Sequence, residues 1–400
     1  MKLHIFNPEN DLALADGGAN YSPPPAAAGI AHDLCTLPLW FADTSDTVLL
    51  QGKKHLEYYN AMSGAFVLPH IFSIGMQQGI AECQPWGWSP QILRRLKAMG
   101  IPQASLPSNS FIEEVRRISN RRTSIEILEG LAGNGIEVPP LPQYIEEKIG
   151  VKKFIESMPR CVVKAPWSGS GKGILWGVGQ MGTTMEQFCS GIIKRQGGVI
   201  CEHYFDSVLE FAMEFHAENG KVSFAGYSLF STTKGAYSGN ILASDNAIES
   251  FIARYIPLEK LSAVRETLCA VLAKVTGKTG YRGYMGIDMM LYKDDYGTIG
   301  LHPCIELNFR MNMGMLSRIF YDSHVHAGKS GVYRVEYFRE SGEALAMHIE
   351  KSEKNPLVVE NGKVVSGYIN LSPVTQDSHY IAYSQIADSD ITALYTQQFC

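Results

Sequence analysis

The hydrophobic and polar positions of the N-terminal part alternate between short apolar segments and longer helical patterns. Residues 3–6 and 47–50 are mostly apolar and end at Asn7-Pro8 and Gln51-Gly52, which is typical of buried strands. Residues 90–99 follow a helical pattern that stops before a glycine. Strands that alternate with helices predict a small parallel α/β sheet up to about residue 108.

The pattern changes after residue 108. Phe111, Val115 and Ile118 recur at helical spacing, and residues 123–126 have the form of a capping box that opens a second helix. Another helix is predicted over residues 183–196. Alternating apolar residues then predict long strands, because they put one face of each strand against a core.

Asn-Gly pairs at residues 219–220 and 361–362 predict two hairpins. From these elements we predict three parts: an N-terminal α/β domain over residues 1–108, a module over residues 109–330, and an extension over residues 331–400. The module is divided into subdomains at residues 109–180 and 181–330. The extension contains the second hairpin and is expected to pack on the module.

Composition restricts the partners. The chain is 45% hydrophobic and 19% charged with a formal net charge of −5, which is ordinary for a globular protein. The only basic cluster is Arg116, Arg117, Arg121 and Arg122, expected on a solvated helix face, so no nucleic-acid partner is predicted. No segment approaches ~18 consecutive apolar residues, so no membrane partner is predicted. The eight scattered cysteines favour free thiols and a cytoplasmic location.

The first chemical signal is a glycine-rich segment between two predicted strands. Glycines let backbone N–H groups approach phosphate oxygens, and Lys164 at the end of the first strand can place an ammonium on the same phosphates. The segment is not a Walker A loop, because Pro166 and Gly173 stand where that pattern needs glycine and Ser or Thr. A plain flexible hairpin is the alternative. The candidate loop residues are Ser168, Gly169, Ser170, Gly171, Lys172 and Gly173.

The second signal is Asp288 together with Glu306 and Asn308. Residues two apart on a strand share a face, so Glu306 and Asn308 project together, and Asp288 lies on the preceding strand. Two carboxylates and an amide oxygen form an all-oxygen set suited to magnesium. Arg310 would aim a positive fork at the same site. The alternative is a surface strand pair with exposed acids.

The third signal is an apolar strand that ends at Glu202 and is followed by Glu210. Such a strand offers backbone groups and a carboxylate to an adenine edge, while Glu210 suits ribose hydroxyls. The alternative is an ordinary edge strand, for which such sequences are common.

The order of the three signals resembles the ATP-grasp superfamily over residues 109–320. Residues 119–123 resemble that family's first motif, with Arg121 or Arg122 in place of its phosphate-binding lysine; Arg122 is the working assignment. The resemblance implies an α/β (α+β) ATP-grasp fold preceded by a small, Rossmann-like pre-ATP-grasp domain. It also implies an ADP-forming ligase that joins a small-molecule acid to an amine or thiol. A small-molecule kinase and a silent ATP-binding protein are the alternatives.

The resemblance assigns the site residues as follows. ATP phosphates would lie under Lys164 and the loop 168–173, and adenine against Glu202, His203 and Phe205, with ribose on Glu210. Two Mg²⁺ ions, or Mn²⁺ ions in their place, would bind Asp288, Glu306 and Asn308. The transferring phosphoryl group would face Arg282, Arg310 and Lys234.

The substrate is expected at the loop after the first strand, where open α/β sheets bind ligands. The candidate residues there are Asn7, Glu9, Asn10 and Asp11. The alternative is a helix N-cap formed by Asn10 or Asp11. The chain is expected to be a monomer or a homodimer.

Overall fold

The computed structural model of the chain describes residues 1–169, 173–233 and 236–399. In chain order, the described strands are β1 (Lys2–Ile5), β2 (Thr47–Val48), β3 (His70–Ile71), β4 (Glu82–Pro85), β5 (Gln143–Ile145), β6 (Cys161–Lys164), β7 (Ile174–Gly177), β8 (Val199–His203), β9 (Asp206–Glu218), β10 (Lys221–Ser228), β11 (Phe230–Thr233), β12 (Ala236–Leu242), β13 (Gly283–Lys293), β14 (Ile299–Asn308), β15 (Ser330–Tyr337), β16 (Val358–Glu360), β17 (Lys363–Asn370) and β18 (Tyr380–Ala387).

The α-helices of the same residues are α1 (Asn10–Asp16), α2 (Pro25–Asp33), α3 (Lys53–Met62), α4 (Pro90–Ala98), α5 (Asn109–Ile118), α6 (Arg122–Ala132), α7 (Lys148–Ser157), α8 (Thr183–Gln196), α9 (Asp245–Ile252), α10 (Leu258–Thr279), α11 (Met313–His324), α12 (Glu343–Lys354) and α13 (Ile391–Phe399). Short 3₁₀ helices cover Leu37–Trp40, Gln77–Gly79 and Gln103–Ser105.

The N-terminal sheet is parallel, with the strand order β3-β2-β1-β4. The chain moves outward from β1 to β3 and then returns to the other side of β1 for β4. The strand order therefore reverses between β1 and β4. Loops that leave these two strands diverge, which opens a crevice at the carboxyl edge of the sheet.

A second, antiparallel sheet has the order β5-β8-β6-β7. Its apolar side packs on α7 and α8 through residues such as Phe154, Val163 and Cys189. Because β8 pairs directly with β6, this sheet extends across the predicted subdomain boundary at residues 180 and 181.

A third sheet, with the order β10-β9-β13-β14, carries the predicted acidic strands. Asn219 and Gly220 join β9 to β10 with φ angles of 52° and 75°, as expected for an Asn-Gly hairpin turn. One face of the sheet is apolar and packs on α5, α6, α9 and α10; Phe211, Met213 and Ile287 are fully buried there. Its other face is therefore left for polar residues.

The fourth sheet joins the last part of the chain to the middle. Its order is β11-β12-β15-β18-β17-β16, so β12 pairs with β15 across the predicted boundary at residues 330 and 331. The hairpin at Asn361-Gly362 is confirmed, since it connects β16 to β17 with φ angles of 50° and 73°. Trp40 and Phe320 lie in one core with Tyr333, which ties this sheet to the N-terminal domain.

Two predictions about residues 116–126 are wrong. The supposed capping box lies inside α6, where Ser124 Oγ donates 2.7 Å to the Arg121 carbonyl instead of capping the helix from outside. Arg121 was expected on a solvated face together with Arg116, Arg117 and Arg122, but only 5% of it is exposed. Its backbone N–H donates 2.9 Å to the Pro166 carbonyl, which holds the start of α6 against the glycine-rich segment.

Two further expectations can be compared with the described residues. None of their helices combines the length and the apolar composition that a membrane span needs. The seven cysteines among them are all free thiols.

Candidate nucleotide and metal site

The polar face of the third sheet carries a cluster of carboxylates. Asp288 on β13 is directly opposite Glu306 on β14, and Asn308 Nδ2 donates 3.4 Å to Asp288 Oδ2. On the other side of β13, the register places Glu210 and Glu214 of β9 opposite Met290 and Gly286. Directly opposed residues share a sheet face, so four carboxylates and the Asn308 amide project toward one side.

Burial and mutual repulsion disfavour the charged forms of these acids. Burial, together with the facing carboxylate of Glu306, raises the pKa of Asp288 to about 7. Burial also raises the pKa of Glu210, and it raises the pKa of Glu214 to about 8. The face thus holds more carboxylates than the described cations neutralise, which is the electrostatic condition for binding an added cation.

Arg310, just beyond β14, holds the N-terminal domain to this face. Its Nε donates 2.9 Å to Asp11 Oδ1, and its Nη2 donates 2.8 Å to Asp11 Oδ2 and 3.0 Å to Asn308 Oδ1. The backbone N–H of Met311 donates 2.9 Å to the Trp86 carbonyl. The segment after β14 is therefore held on the start of α1 and on the residue that follows β4.

Arg121 links the glycine-rich segment to the carboxylates. Its Nη2 donates 2.8 Å to Glu306 Oε1, and its Nη1 donates 2.8 Å to the Ala165 carbonyl. Nη1 also donates to Ser168 Oγ. Of the two arginines left open by the sequence, Arg121 is the one that contacts a predicted metal ligand. Arg122 is exposed and lies 5.1 Å above the Tyr144 ring.

Lys164 and Glu202 form a buried ion pair on adjacent strands β6 and β8, with side-chain exposures of 6% and 10%. The predicted phosphate-binding lysine and the predicted adenine-binding carboxylate therefore contact each other. Lys164 also acts on His302 of β14, because its charge adds to burial in lowering the pKa of that imidazole to about 3. The second and third sheets consequently face each other across a cleft.

Aromatic rings occupy the turn between β8 and β9. The Phe205 ring lies 4.5 Å from Tyr292 and 5.5 Å from His302, measured between ring centroids. The His203 ring is 6.4 Å from Phe205 and 6.5 Å from Phe154. A flat ligand entering beside Glu202 would meet these rings.

The N-terminal candidate loop lies against the same cleft. Asn10 and Asp11 line a pocket together with residues from the α5–α6 turn, from the segment after β6 and from the end of β14: Ser119, Arg121, Pro166, Trp167, Ser168, Glu306, Leu307, Asn308, Phe309 and Arg310. No side-chain cap closes the start of α1, which removes the alternative of a helix N-cap by Asn10 or Asp11. Asn10 and Asp11 therefore lie at this pocket, and the substrate-binding role of the loop stays a prediction.

Asn7, Glu9 and Asn10 make hydrogen bonds to the segment that follows β4. Asn7 Nδ2 donates 2.8 Å to the Gly87 carbonyl and its Oδ1 accepts from Gly87 N at 3.3 Å. When the Asn10 amide is oriented with its nitrogen toward the carbonyls of Gly87 and Trp88, Nδ2 donates to them at 3.0 and 3.1 Å. Burial raises the pKa of Glu9, whose Oε1 accepts a 3.4 Å hydrogen bond from Gln91.

Several predicted site residues are not brought into this arrangement. Arg282 is exposed and makes no ion pair with another described residue. Gly169 and Gly173 are described, and Gly169 packs against Asp11. Ser170, Gly171, Lys172 and Lys234 lie outside the described residues.

Glu214 and His302 are cleft residues that sequence reasoning missed. Glu214 is 1% exposed, and Oε2 accepts 2.7 Å from Asn312 Nδ2. A Cβ on Gly286 would lie 2.6 Å from the same oxygen, so that glycine leaves the space for Glu214. The signal available in the sequence was the even spacing of Glu210 and Glu214, and likewise of His302 and Glu306, along one strand face.

Comparisons with known proteins agree with this architecture. No protein-family model matches the chain, and no curated protein matches it. Among solved structures, N5-carboxyaminoimidazole synthetase from Staphylococcus aureus complexed with ADP has a TM-score of 0.50 at 11% identity, covering 99% of this chain and 95% of that one. The corresponding ribonucleotide synthetase from Thermus thermophilus has a TM-score of 0.50 at 12% identity, covering 98% and 96%.

A biotin carboxylase–β,γ-ATP complex from Campylobacter jejuni has a TM-score of 0.52 at 10% identity, covering 97% of this chain and 87% of that one. These neighbours are ATP-grasp proteins, and their coverage is nearly complete. The chain therefore has the ATP-grasp fold with a parallel α/β domain before it, as the motifs predicted.

Proposed function

We propose that this chain is an ATP- and Mg²⁺-dependent, ADP-forming ligase that activates a carboxylate as an acyl phosphate for attack by an amine or a thiol. The observation that carries the proposal is the register that sets Asp288 opposite Glu306, with Asn308 bonded to Asp288. Fold neighbours described with ADP and with β,γ-ATP support the choice of nucleotide.

The nucleotide would lie between the second and third sheets. Lys164, Ser168 and Gly169 would face its phosphates, with Arg121 in the place of the family's lysine. Its base would lie near Glu202, His203 and Phe205, and its ribose near Glu210. Because Lys164 and Glu202 are paired with each other, nucleotide binding in this position requires that their ion pair opens or shifts.

The donor set on the third sheet fits magnesium. Asp288, Glu306 and Asn308 offer only oxygen ligands, which hard divalent cations prefer. The described residues contain no cluster of three or more His, Cys, Asp or Glu side chains arranged for a metal, so the third donor would be the Asn308 amide. When bound, magnesium would neutralise charge on the phosphate oxygens.

The chemistry follows from the poor leaving group of a carboxylate. An oxygen of the substrate carboxylate attacks the γ-phosphorus, the bond to the β–γ bridging oxygen breaks, and ADP leaves with the electron pair. The amine nitrogen then attacks the acyl carbon, inorganic phosphate leaves and the nitrogen loses a proton. Arg310 and Arg121 would stabilise the charge that spreads over the phosphoryl oxygens during the first step.

A screen for ADP release with pairs of small acids and amines tests the proposal. We expect ADP only when magnesium and a suitable acid are present, and we expect added hydroxylamine to convert that acid into a hydroxamate. ADP release that leaves a stable phosphorylated product and no hydroxamate would assign a kinase instead. No magnesium-dependent binding of ATP would contradict both.

A further inference from the structure

The Arg310 side chain already holds a carboxylate in a two-point arrangement. Its Nε and Nη2 donate to the two oxygens of Asp11 at 2.9 and 2.8 Å. This parallel pair of hydrogen bonds is the geometry in which a guanidinium recognises a carboxylate most specifically. The two side chains are 18% and 21% exposed, so the pair is largely shielded from water.

Arg310 is held in position independently of Asp11. Its Nη1 donates 3.1 Å to the Met311 carbonyl and its Nη2 donates 3.0 Å to Asn308 Oδ1. The Met311 N–H is itself bonded to the Trp86 carbonyl. The fork would therefore keep its direction if Asp11 left it.

Asp11, in contrast, lies on α1 in the N-terminal domain and reaches Arg310 from there. Among the described residues, its side chain hydrogen-bonds to Arg310 alone. It also fills the space under the glycine-rich segment, since a Cβ on Gly169 would lie 2.7 Å from Asp11 Oδ2. The Asp11 carboxylate thus lies between the proposed phosphate loop and Arg310, in the pocket that Glu306 and Asn308 also line.

We propose that Asp11 occupies, in the substrate-free chain, the subsite for the carboxylate of the substrate acid, and that the acid displaces it from Arg310. This inference rests on the proposed ligase function. The exchange preserves the charge paired with Arg310, because one carboxylate replaces another on the same guanidinium. A competitor that is already part of the fold has a high effective concentration, so it lowers the apparent affinity for every acid that uses Arg310.

The test compares acetate binding to the full chain and to Asp11→Asn, by calorimetry and by the shift in melting temperature. Asparagine preserves the size of the side chain and removes its charge. We expect acetate to bind at least about tenfold more tightly to Asp11→Asn, which corresponds to about 1.4 kcal/mol, and sodium chloride at equal ionic strength to give no such gain. Asp16→Asn on the same helix, where the residue is exposed, is the matched control and should bind acetate like the unmodified chain.

A second variant shows whether the gain in acetate affinity depends on Arg310. Arg310→Lys added to Asp11→Asn retains the positive charge but removes the fork, and we expect it to abolish the gain in acetate affinity. Asp11→Ser gives the same comparison if asparagine lowers the melting temperature.

Binding of Mg²⁺-ATP is measured on the same samples, so that the two proposals fail separately. Normal Mg²⁺-ATP binding with no gain in acetate affinity in either Asp11 variant, or a gain that persists in the Arg310→Lys background, overturns the carboxylate subsite alone. If the unmodified chain does not bind Mg²⁺-ATP, the proposed function is overturned instead.

Discussion

The two walls of the cleft balance their charges differently. On the second sheet, the buried Lys164 ammonium faces the buried Glu202 carboxylate, one cation for one anion. On the third sheet, Glu210, Glu214, Asp288 and Glu306 share one face, while Arg121 pairs with Glu306 and Arg310 with Asp11. The first wall is neutral in itself, whereas the second has carboxylates that form no ion pair with a described cation.

This difference shows what each wall requires of a ligand. The acid-rich wall would gain from added cations, because burial already raises the pKa of Asp288 and Glu214 toward their neutral forms. The neutral wall has no such requirement, and in the proposed function it would bind phosphate only if Lys164 leaves Glu202. Magnesium affinity and nucleotide affinity should therefore respond to different substitutions.

The largest effect is expected from Glu306→Gln on the acid-rich wall. Glutamine retains the shape but removes the charge, so we expect ADP formation to fall on the order of 10³-fold. Apparent magnesium affinity should fall as well, with an unchanged circular dichroism spectrum. Glu218→Gln, at the exposed end of β9, is the matched control and should turn over normally. Normal turnover of Glu306→Gln would show that the metal site lies elsewhere.

A smaller effect is expected on the neutral wall from Lys164→Met. The variant should lose most of the rise in melting temperature that Mg²⁺-ATP causes, since that rise follows the affinity of the native state for its ligand. It should also be destabilised by about 3–5 kcal/mol, because Glu202 is left buried without its partner. Adding Glu202→Gln should recover much of the stability but not the nucleotide response. A full nucleotide response in Lys164→Met would remove Lys164 from the phosphate site.

A third prediction concerns the N-terminal loop. Alanine at Glu9 and Asn10 should leave Mg²⁺-ATP binding intact and raise the KM for one substrate about tenfold or lower kcat. The physical reason is that Asn10 lines the pocket and holds the Gly87 and Trp88 carbonyls in place. Steady-state kinetics with the acid and the amine varied separately would check it. A loss of Mg²⁺-ATP affinity as large as the rise in KM would show that the loop only supports the fold.

A fourth prediction concerns pH and stability without metal. The folded pKa of Glu214 is about 8 against 4.5 as its ordinary value, so the native chain binds an extra proton between these pH values. Stability from this group is therefore lost as pH rises through that window, by at most about 1.4 kcal/mol per pH unit. Glu214→Gln should reduce this slope and gain relative stability toward pH 8. Denaturant unfolding at pH 5 to 8 measures it, and parallel curves for the two proteins would contradict the burial of a neutral acid.

The predictions from sequence succeeded where the signal is local. A short turn joins β13 to β14, so the two strands were expected to pair. Glu306 and Asn308 are two residues apart and share a strand face, which brings both of them near Asp288 on the neighbouring strand. Both Asn-Gly hairpins followed from the φ angles that such turns need. Both features depend on residues that are close together in the sequence, so they can be predicted from the sequence alone.

Contacts between segments that are distant in the sequence could not be predicted. The Arg310–Asp11 pair joins residues separated by 299 positions, and no periodicity indicates which charge meets which. Arg121 was assigned to a solvated face because its neighbours are basic, whereas carbonyls and Glu306 bury it. Even spacing puts Glu214 on the same face of β9 as Glu210, but the register that sets it beside β13 is not contained in a single strand.

The most direct test of the central claim follows one oxygen atom. An acid that supports ADP release is labelled with ¹⁸O in its carboxylate, and the products are analysed by mass spectrometry after complete turnover with the amine. Formation of an acyl phosphate requires that one labelled oxygen leaves the acid and appears in inorganic phosphate. We expect one ¹⁸O per phosphate released; phosphate without the label, beside an acid that retains both of its oxygens, would contradict carboxylate activation by this chain.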